Sequence, residues 1–188
     1  MNCYDWAVDE MLEAIHLEDD VAEFHYSLGV SYMMLSKIEE AKEAFKNALK
    51  YEPNDPDCLA YFGYAYLLQR ESDTALELLE KAINITPDNF LAKNFIAKYY
   101  FNEKKFETAK QFLLDCTNLI KDDETLNMLA ICYLETKEFK NAMGIFYGLS
   151  KKYPENHILL TNLAKCEKEC GKTKEALEHL RQALMIFD

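Results

Sequence analysis

The sequence predicts an all-α fold of stacked antiparallel helix pairs, about eleven helices in all. Two observations carry that expectation. A pattern of small and large residues returns every 34 positions along most of the chain. The 188 residues also hold only 5 glycines and 4 prolines, which suits helices joined by short turns. Self-similarity at a fixed period of roughly 20–50 residues is the signature of a repeat array, in which units that cannot bury their own apolar face bury it against their neighbours.

The pattern is plainest in LGVSYMMLSKIEEAKEAF, Leu28–Phe45. Gly29 interrupts a helical stretch, at about 1 kcal/mol relative to alanine. Tyr32, Ala41, Phe45, Ala48 and Pro53 follow it. The next copy has Gly63, Tyr66, Ala75, Leu79, Ala82 and Pro87. The third has Ala97, Tyr100, Ala109, Leu113 and Cys116, and the fourth Ala130, Tyr133, Ala142, Phe146 and Pro154. The fifth has Ala164, Ala176, Leu180 and Ala183. Before them, Ala7, Met11 and Ala14 stand in register with Ala41, Phe45 and Ala48. The small residues have a physical reason. Two helices approach closely only where one side chain is nearly absent, and large residues then fill the space beside the contact. The prolines follow the second helix of a unit and stop it.

This layout resembles the tetratricopeptide repeat, with a small residue at position 8, Tyr at 11, Ala at 20, a large apolar residue at 24, Ala at 27 and Pro at 32. The units are then residues 22–55, 56–89, 90–122, 123–156 and 157–188, and residues 1–21 form the unpaired second helix of a partial unit. The resemblance covers essentially all of residues 1–188 and implies a single tetratricopeptide-type α-solenoid, a right-handed superhelix. Departures are His25, Leu59, Lys93, Leu126 and Leu160 at the family's tryptophan position, Lys121 for a proline, and Glu167 for a tyrosine.

Composition narrows the function. The net charge of −12 is uneven: residues 1–94 hold 7 Lys/Arg against 19 Asp/Glu, and residues 95–188 hold 14 of each. Nucleic acids and anionic membranes are bound through clustered Lys and Arg, so neither is an expected partner. A basic partner for the acidic half fits the charge, as does a merely solvated acidic surface. No apolar run approaches the roughly 20 residues that cross a bilayer, and the N-terminus lacks the basic start and apolar centre of a signal peptide. The six cysteines read as reduced, mostly buried small residues, which points to the cytoplasm. Cys166 and Cys170 lie one turn apart but have no further ligand at a metal spacing. The four histidines have no Ser, Cys or carboxylate constellation around them. No catalytic residue, metal or cofactor is expected.

The resemblance implies a protein or peptide ligand held in a concave groove lined by the first helices. Positions 2, 5, 9 and 12 of those helices form a stripe that the stack does not require to be apolar. In the first unit it offers Tyr26, Val30 and Met33, with Met34 beside it; in the second, Tyr64, Leu67 and Leu68. In the third it becomes mixed: Asn94, Lys98 and Phe101. Apolar surface beyond the needs of a scaffold is a candidate binding site. The expected ligand has apolar anchors near the first two units and an acidic group near Lys98. The alternative is that positions 9 and 12 simply pack between first helices. The family's clamp for chaperone C-terminal tails needs Lys and Asn at positions 5 and 9, Asn at 6 of the next unit, and Lys and Arg at 2 and 6 of the third. From the first unit these are Tyr26, Val30, Tyr61, Leu91 and Phe95, and no other start fits either.

The ends supply a second expectation. Solenoids usually close with polar capping faces. Trp6, Ile186 and Phe187 are apolar residues at the ends of the repeat register, so either the sequence is a fragment of a longer array or copies meet end to end; the latter gives the alternative role, a self-associating scaffold, a homo-oligomer joined through its ends.

Overall fold

The computed structural model describes residues 3–187, the side chain of Phe187 lying outside the described residues. The described residues form eleven α-helices: α1 (Cys3–Leu17), α2 (Ala22–Met34), α3 (Ile38–Tyr51), α4 (Pro56–Leu68), α5 (Ser72–Ile85), α6 (Phe90–Asn102), α7 (Phe106–Leu119), α8 (Asp123–Glu135), α9 (Phe139–Lys152), α10 (His157–Glu169) and α11 (Thr173–Phe187). The chain divides into two compact units, Met1–Ile96 and Ala97–Asp188.

The same local chemistry builds each helix pair. First helices start on the residue that closes the preceding repeat. Asp55 accepts from Asp57 N at 3.0 Å, Asn89 from Ala92 N at 2.8 Å, Asp122 from Thr125 N at 2.9 Å, and Asn156 from Ile158 N at 3.1 Å. These are side-chain N-caps, which satisfy amides the helix itself leaves open. Val21 stands at this place before α2 and supplies no side-chain bond. First helices end on a left-handed residue: Ser36, Arg70, Lys104, Lys137 and Gly171, with φ between 58° and 78°. The amide two residues on from each cap closes a six-residue ring, Lys37 N to Tyr32 O at 2.9 Å and Glu138 N to Tyr133 O at 2.8 Å among them. This is the Schellman arrangement. Only the fifth turn uses glycine; the other four hold an L side chain at about 1 kcal/mol or more each.

The small residues of position 8 sit where the two helices of a pair touch. A Cβ on Gly29 would lie 2.5 Å from Phe45 Cε1, and one on Gly63 would lie 2.9 Å from Leu79 Cγ and 3.0 Å from the Ala75 carbonyl oxygen. Ala97, Ala130 and Ala164 at the same position are buried. In the first unit Phe45, Ala41, Ala48 and Cys58 form one core, flanked by Tyr32 and Phe62, and Val8, Leu28 and Ala44 form another. In the second unit, Ala97, Ala109, Leu113 and Leu129 make one core and Ala130, Ala142, Phe146 and Leu163 another. His25, at the tryptophan position, is buried, stacks on Tyr51 at 5.7 Å, and bonds the Asp19 carbonyl at 2.8 Å. Glu167, at the tyrosine position, is buried and paired with His179 Nδ1 at 2.8 Å.

Two lysines at position 21 reach forward to the next pair's turn. Lys42 Nζ lies 3.1 Å from Glu71 Oε1 and 4.1 Å from the Tyr66 ring centre. Lys110 is bonded to Glu138 and to Glu107, the latter at 2.8 Å, and sits 5.8 Å from the Tyr133 ring centre. The tyrosine and glutamate bracket a Schellman turn in both cases.

Candidate partner-binding face

The first unit places an aromatic column along α2, α4 and α6. Its base is Phe45, buried against Gly29. Tyr61 stacks on Phe45 at 6.1 Å and meets Tyr26 edge-on at 6.0 Å. Phe95 meets Tyr61 edge-on at 5.6 Å, and Tyr64 lies flat on Phe95, ring centres 4.2 Å apart and planes 4° from parallel. Offset and edge-on geometries of this kind add about 0.5–1.5 kcal/mol per pair beyond area burial. Burial, reinforced by Tyr61 and by the Asp57 and Asp55 carboxylates, pushes the Tyr26 phenol well above its ordinary range. The Tyr61 phenol is raised by burial and then by Asp57. Both therefore stay neutral hydrogen-bonding groups at physiological pH.

The expected stripe divides on this frame. Tyr26, Val30 and Met33 are half-buried and pack on the Phe45 core. Tyr64 and Leu67 are half-buried, Tyr64 through its stack on Phe95. Met34 and Leu68, one repeat apart, stand out: they are 54% and 49% exposed. Asn94 is half-buried, its Oδ1 without a donor among the described residues. Tyr61 and Phe95 were not in the stripe, yet they join two of its aromatic members, Tyr26 and Tyr64. They occupy position 6, and the signal that could have found them is an aromatic recurring there in successive units.

Lys98 and Phe101 belong to the second unit. Lys98 Nζ is 2.8 Å from Glu124 Oε1, so the acidic group expected beside it is supplied by the chain itself. Phe101 meets Phe106 edge-on at 5.8 Å and packs on the Leu113 core. At position 13, where the first unit exposes Met34 and Leu68, the second unit exposes Glu135 and Glu169. Of the end residues, Trp6 is 57% and Ile186 38% exposed, and the side chain of Phe187 lies outside the described residues.

None of the six cysteines forms a disulfide. Burial pushes the Cys58 and Cys132 thiols up to about 12 and that of Cys166 to about 11, which makes them inert packing groups at neutral pH. Among the described residues, no helix is long and apolar enough to cross a membrane.

The geometry agrees with what the chain is similar to. Sequence models of the tetratricopeptide repeat match residues 32–99, 92–123 and 125–156. The TPR repeat-containing protein YpiA of Bacillus subtilis is 22% identical over 95% of this chain and 42% of its own length. The BBSome complex member BBS4 of Bos taurus is 32% identical over 85% of this chain and 31% of its own length. The chain thus spans less than half the length of these curated relatives. Among solved structures, YrrB, described as a TPR protein with an unusual peptide-binding site, superposes with a TM-score of 0.77 at 17% identity, covering 94% of this chain and 91% of that one. MamA from Desulfovibrio magneticus RS-1 superposes with a TM-score of 0.73 at 18% identity, covering 88% and 94%. Five helix pairs in register, small residues at every within-pair contact and three matching repeat models lead to one conclusion: this chain belongs to the tetratricopeptide repeat family.

Proposed function

We propose that the chain is a non-catalytic, cytoplasmic adaptor that binds a protein or peptide segment on the first-helix face of its N-terminal unit. The observation that carries this reading is the pair Met34 and Leu68, apolar and about half exposed at the C-terminal ends of α2 and α4, two of the helices that carry the aromatic column. The same repeat position holds exposed glutamates in the second unit, so the stack itself does not call for an apolar side chain there. The partner's apolar anchors seat on Met34, Leu68 and the accessible parts of Tyr26, Met33, Tyr64 and Leu67. Methionine and tyrosine suit such a role because one adapts its shape and the other offers broad contact at small entropic cost. Basic residues flank the anchors, because residues 1–96 carry 7 Lys/Arg against 19 Asp/Glu. YrrB, by its description a peptide-binding TPR protein, supports the class of ligand.

The test places a photocrosslinking residue at Leu68 or Met34, with Tyr147 on the second unit as control. One partner captured from both groove positions but not from Tyr147, and lost in a folded protein when the groove position without the crosslinker is changed to Glu together with Tyr64→Lys, is the expected result. Equal capture from all three positions, or groove capture that survives those substitutions, overturns the reading.

A further inference from the structure

One pair of repeat positions is filled differently in the two units, and the difference assigns a charge to the partner. In the second unit Lys98, at position 9 of its repeat, lies 2.8 Å from Glu124, at position 2 of the next. The carboxylate is matched by a cation from the chain itself. Two repeats earlier the same two positions hold Val30 and Asp57. The carboxylate is present there and the lysine is not.

Asp57 is exposed and has no cationic partner among the described residues. It is nevertheless held in place. Asn89 Nδ2 donates to Asp57 Oδ1 at 2.6 Å. Asn89 itself is 6% exposed, and its Oδ1 accepts from Ala92 N at 2.8 Å, which fixes the amide with its donor toward Asp57. A buried side chain thus orients a surface carboxylate that nothing in the first unit neutralises.

The surroundings of Asp57 fit a cation on an apolar stem. Tyr61 follows Asp57 at i+4 on α4, on the same helix face. Tyr26 meets Tyr61 edge-on at 6.0 Å. Tyr26, Val30 and Tyr61 all pack on the core that contains Cys58, the residue after Asp57. Besides burial, which acts first, the charge of Asp57 helps to raise both phenols, in keeping with a carboxylate that faces the two rings. Long basic side chains lay their methylenes on apolar surface and keep their charge at its edge, and a tyrosine ring adds to the attraction.

We infer that the first unit binds a lysine or arginine side chain of its partner, with the cation on Asp57 and the stem over Val30 and the Tyr26–Tyr61 pair. The partner's charge stands at Asp57 as Lys98 stands at Glu124. This rests on the partner-binding reading above and adds to it the residue that holds one basic side chain.

The test pans a displayed random-peptide library on the chain and its variants, each shown to be folded by circular dichroism. Wild type enriches peptides that combine apolar residues with a lysine or arginine at a fixed spacing. Asp57→Asn, which can still accept from Asn89, enriches apolar peptides without the basic residue. Val30→Lys supplies the cation from the chain itself, as Lys98 does, and also loses the basic preference; should one variant fail to fold, the other decides. In one enriched peptide, norleucine in place of the basic residue weakens binding about fivefold to wild type and leaves binding to Asp57→Asn unchanged. Apolar peptides without a basic preference in wild type, or a basic preference that survives in the folded variants, overturn the inference and leave the partner-binding reading standing. A library that enriches nothing, or enriches the same peptides on Met34→Glu with Leu68→Glu, overturns that reading and the inference with it.

Discussion

The two compact units use one repeat frame in different ways. In the first, position 8 is Gly29 and Gly63, and the space goes to a phenylalanine and a column of aromatic rings on the first helices. In the second, position 8 is Ala97, Ala130 and Ala164, and the rows that stayed apolar in the first unit turn to glutamate and lysine. The first unit is strongly acidic and the second neutral. The frame fixes which positions are small and which are large. Positions outside that frame differ between the units, and at position 13 the first unit exposes Met34 and Leu68 where the second exposes Glu135 and Glu169.

The largest expected effect breaks the glycine contrast. Gly29→Ala forces a methyl group within 2.5 Å of Phe45, so it destabilises by about 3 kcal/mol, at the upper end of overpacking effects. Ala130→Gly, the reverse change in the second unit, costs only about 1 kcal/mol through helix propensity. Urea unfolding of both variants measures the difference; equal losses would mean that the pairs are packed alike. Next comes the buried carboxylate that replaces a tyrosine. His179→Ala leaves Glu167, 5% exposed, without its imidazole partner and costs about 2 kcal/mol. Replacing both residues by leucine recovers most of that loss, again read by urea unfolding.

Smaller effects sharpen the comparison at the surface. Gly144 and Gly148 lie on the exposed side of α9, where an added Cβ meets nothing within 4 Å. Gly144→Ala and Gly148→Ala each raise stability by about 0.5–1 kcal/mol, unlike any such change at Gly29, and thermal unfolding detects the gain. The smallest effect is in acid. The hydrogen bond from Lys110 holds the Glu138 carboxyl below its ordinary range. A carboxyl lowered in the folded state contributes stability that is complete above its unfolded value and is lost as pH falls through the folded one. Wild type should therefore lose stability on acidification below the ordinary carboxylate range more steeply than Glu138→Gln, as measured by unfolding at a series of pH values.

Much of the fold was legible because it depends on residue size at fixed spacing. Ala41, Ala75, Ala109 and Ala142 are fully buried, as a close helix contact demands. The turns were less legible. A left-handed residue is announced by glycine, and here Ser36, Arg70, Lys104 and Lys137 hold that conformation instead. The N-caps Asp55, Asn89, Asp122 and Asn156 were not read from the sequence, because an Asp or Asn gains that role only where a helix starts. The binding face was legible only in outline. Tyr61 and Phe95 sit one residue along from Tyr26 and Asn94 in the repeat, and which of two adjacent positions turns toward the neighbouring helix is decided by how pairs pack. Lys98 shows the same gap, for its partner Glu124 lies 26 residues away.

The forward-reaching lysines bear on how the molecule breathes. Lys42 holds Tyr66 and Glu71, whose backbone groups close the turn after α4, and Lys110 does the same for the turn after α8. The turn amides of Glu71 and Glu138 thus depend for their protection on a helix of the preceding repeat. In hydrogen exchange they should open together with α3 and α7 rather than with the helices they terminate. Fluctuations would then spread in steps longer than one repeat, and the smallest cooperative element would be a helix plus its neighbour's turn.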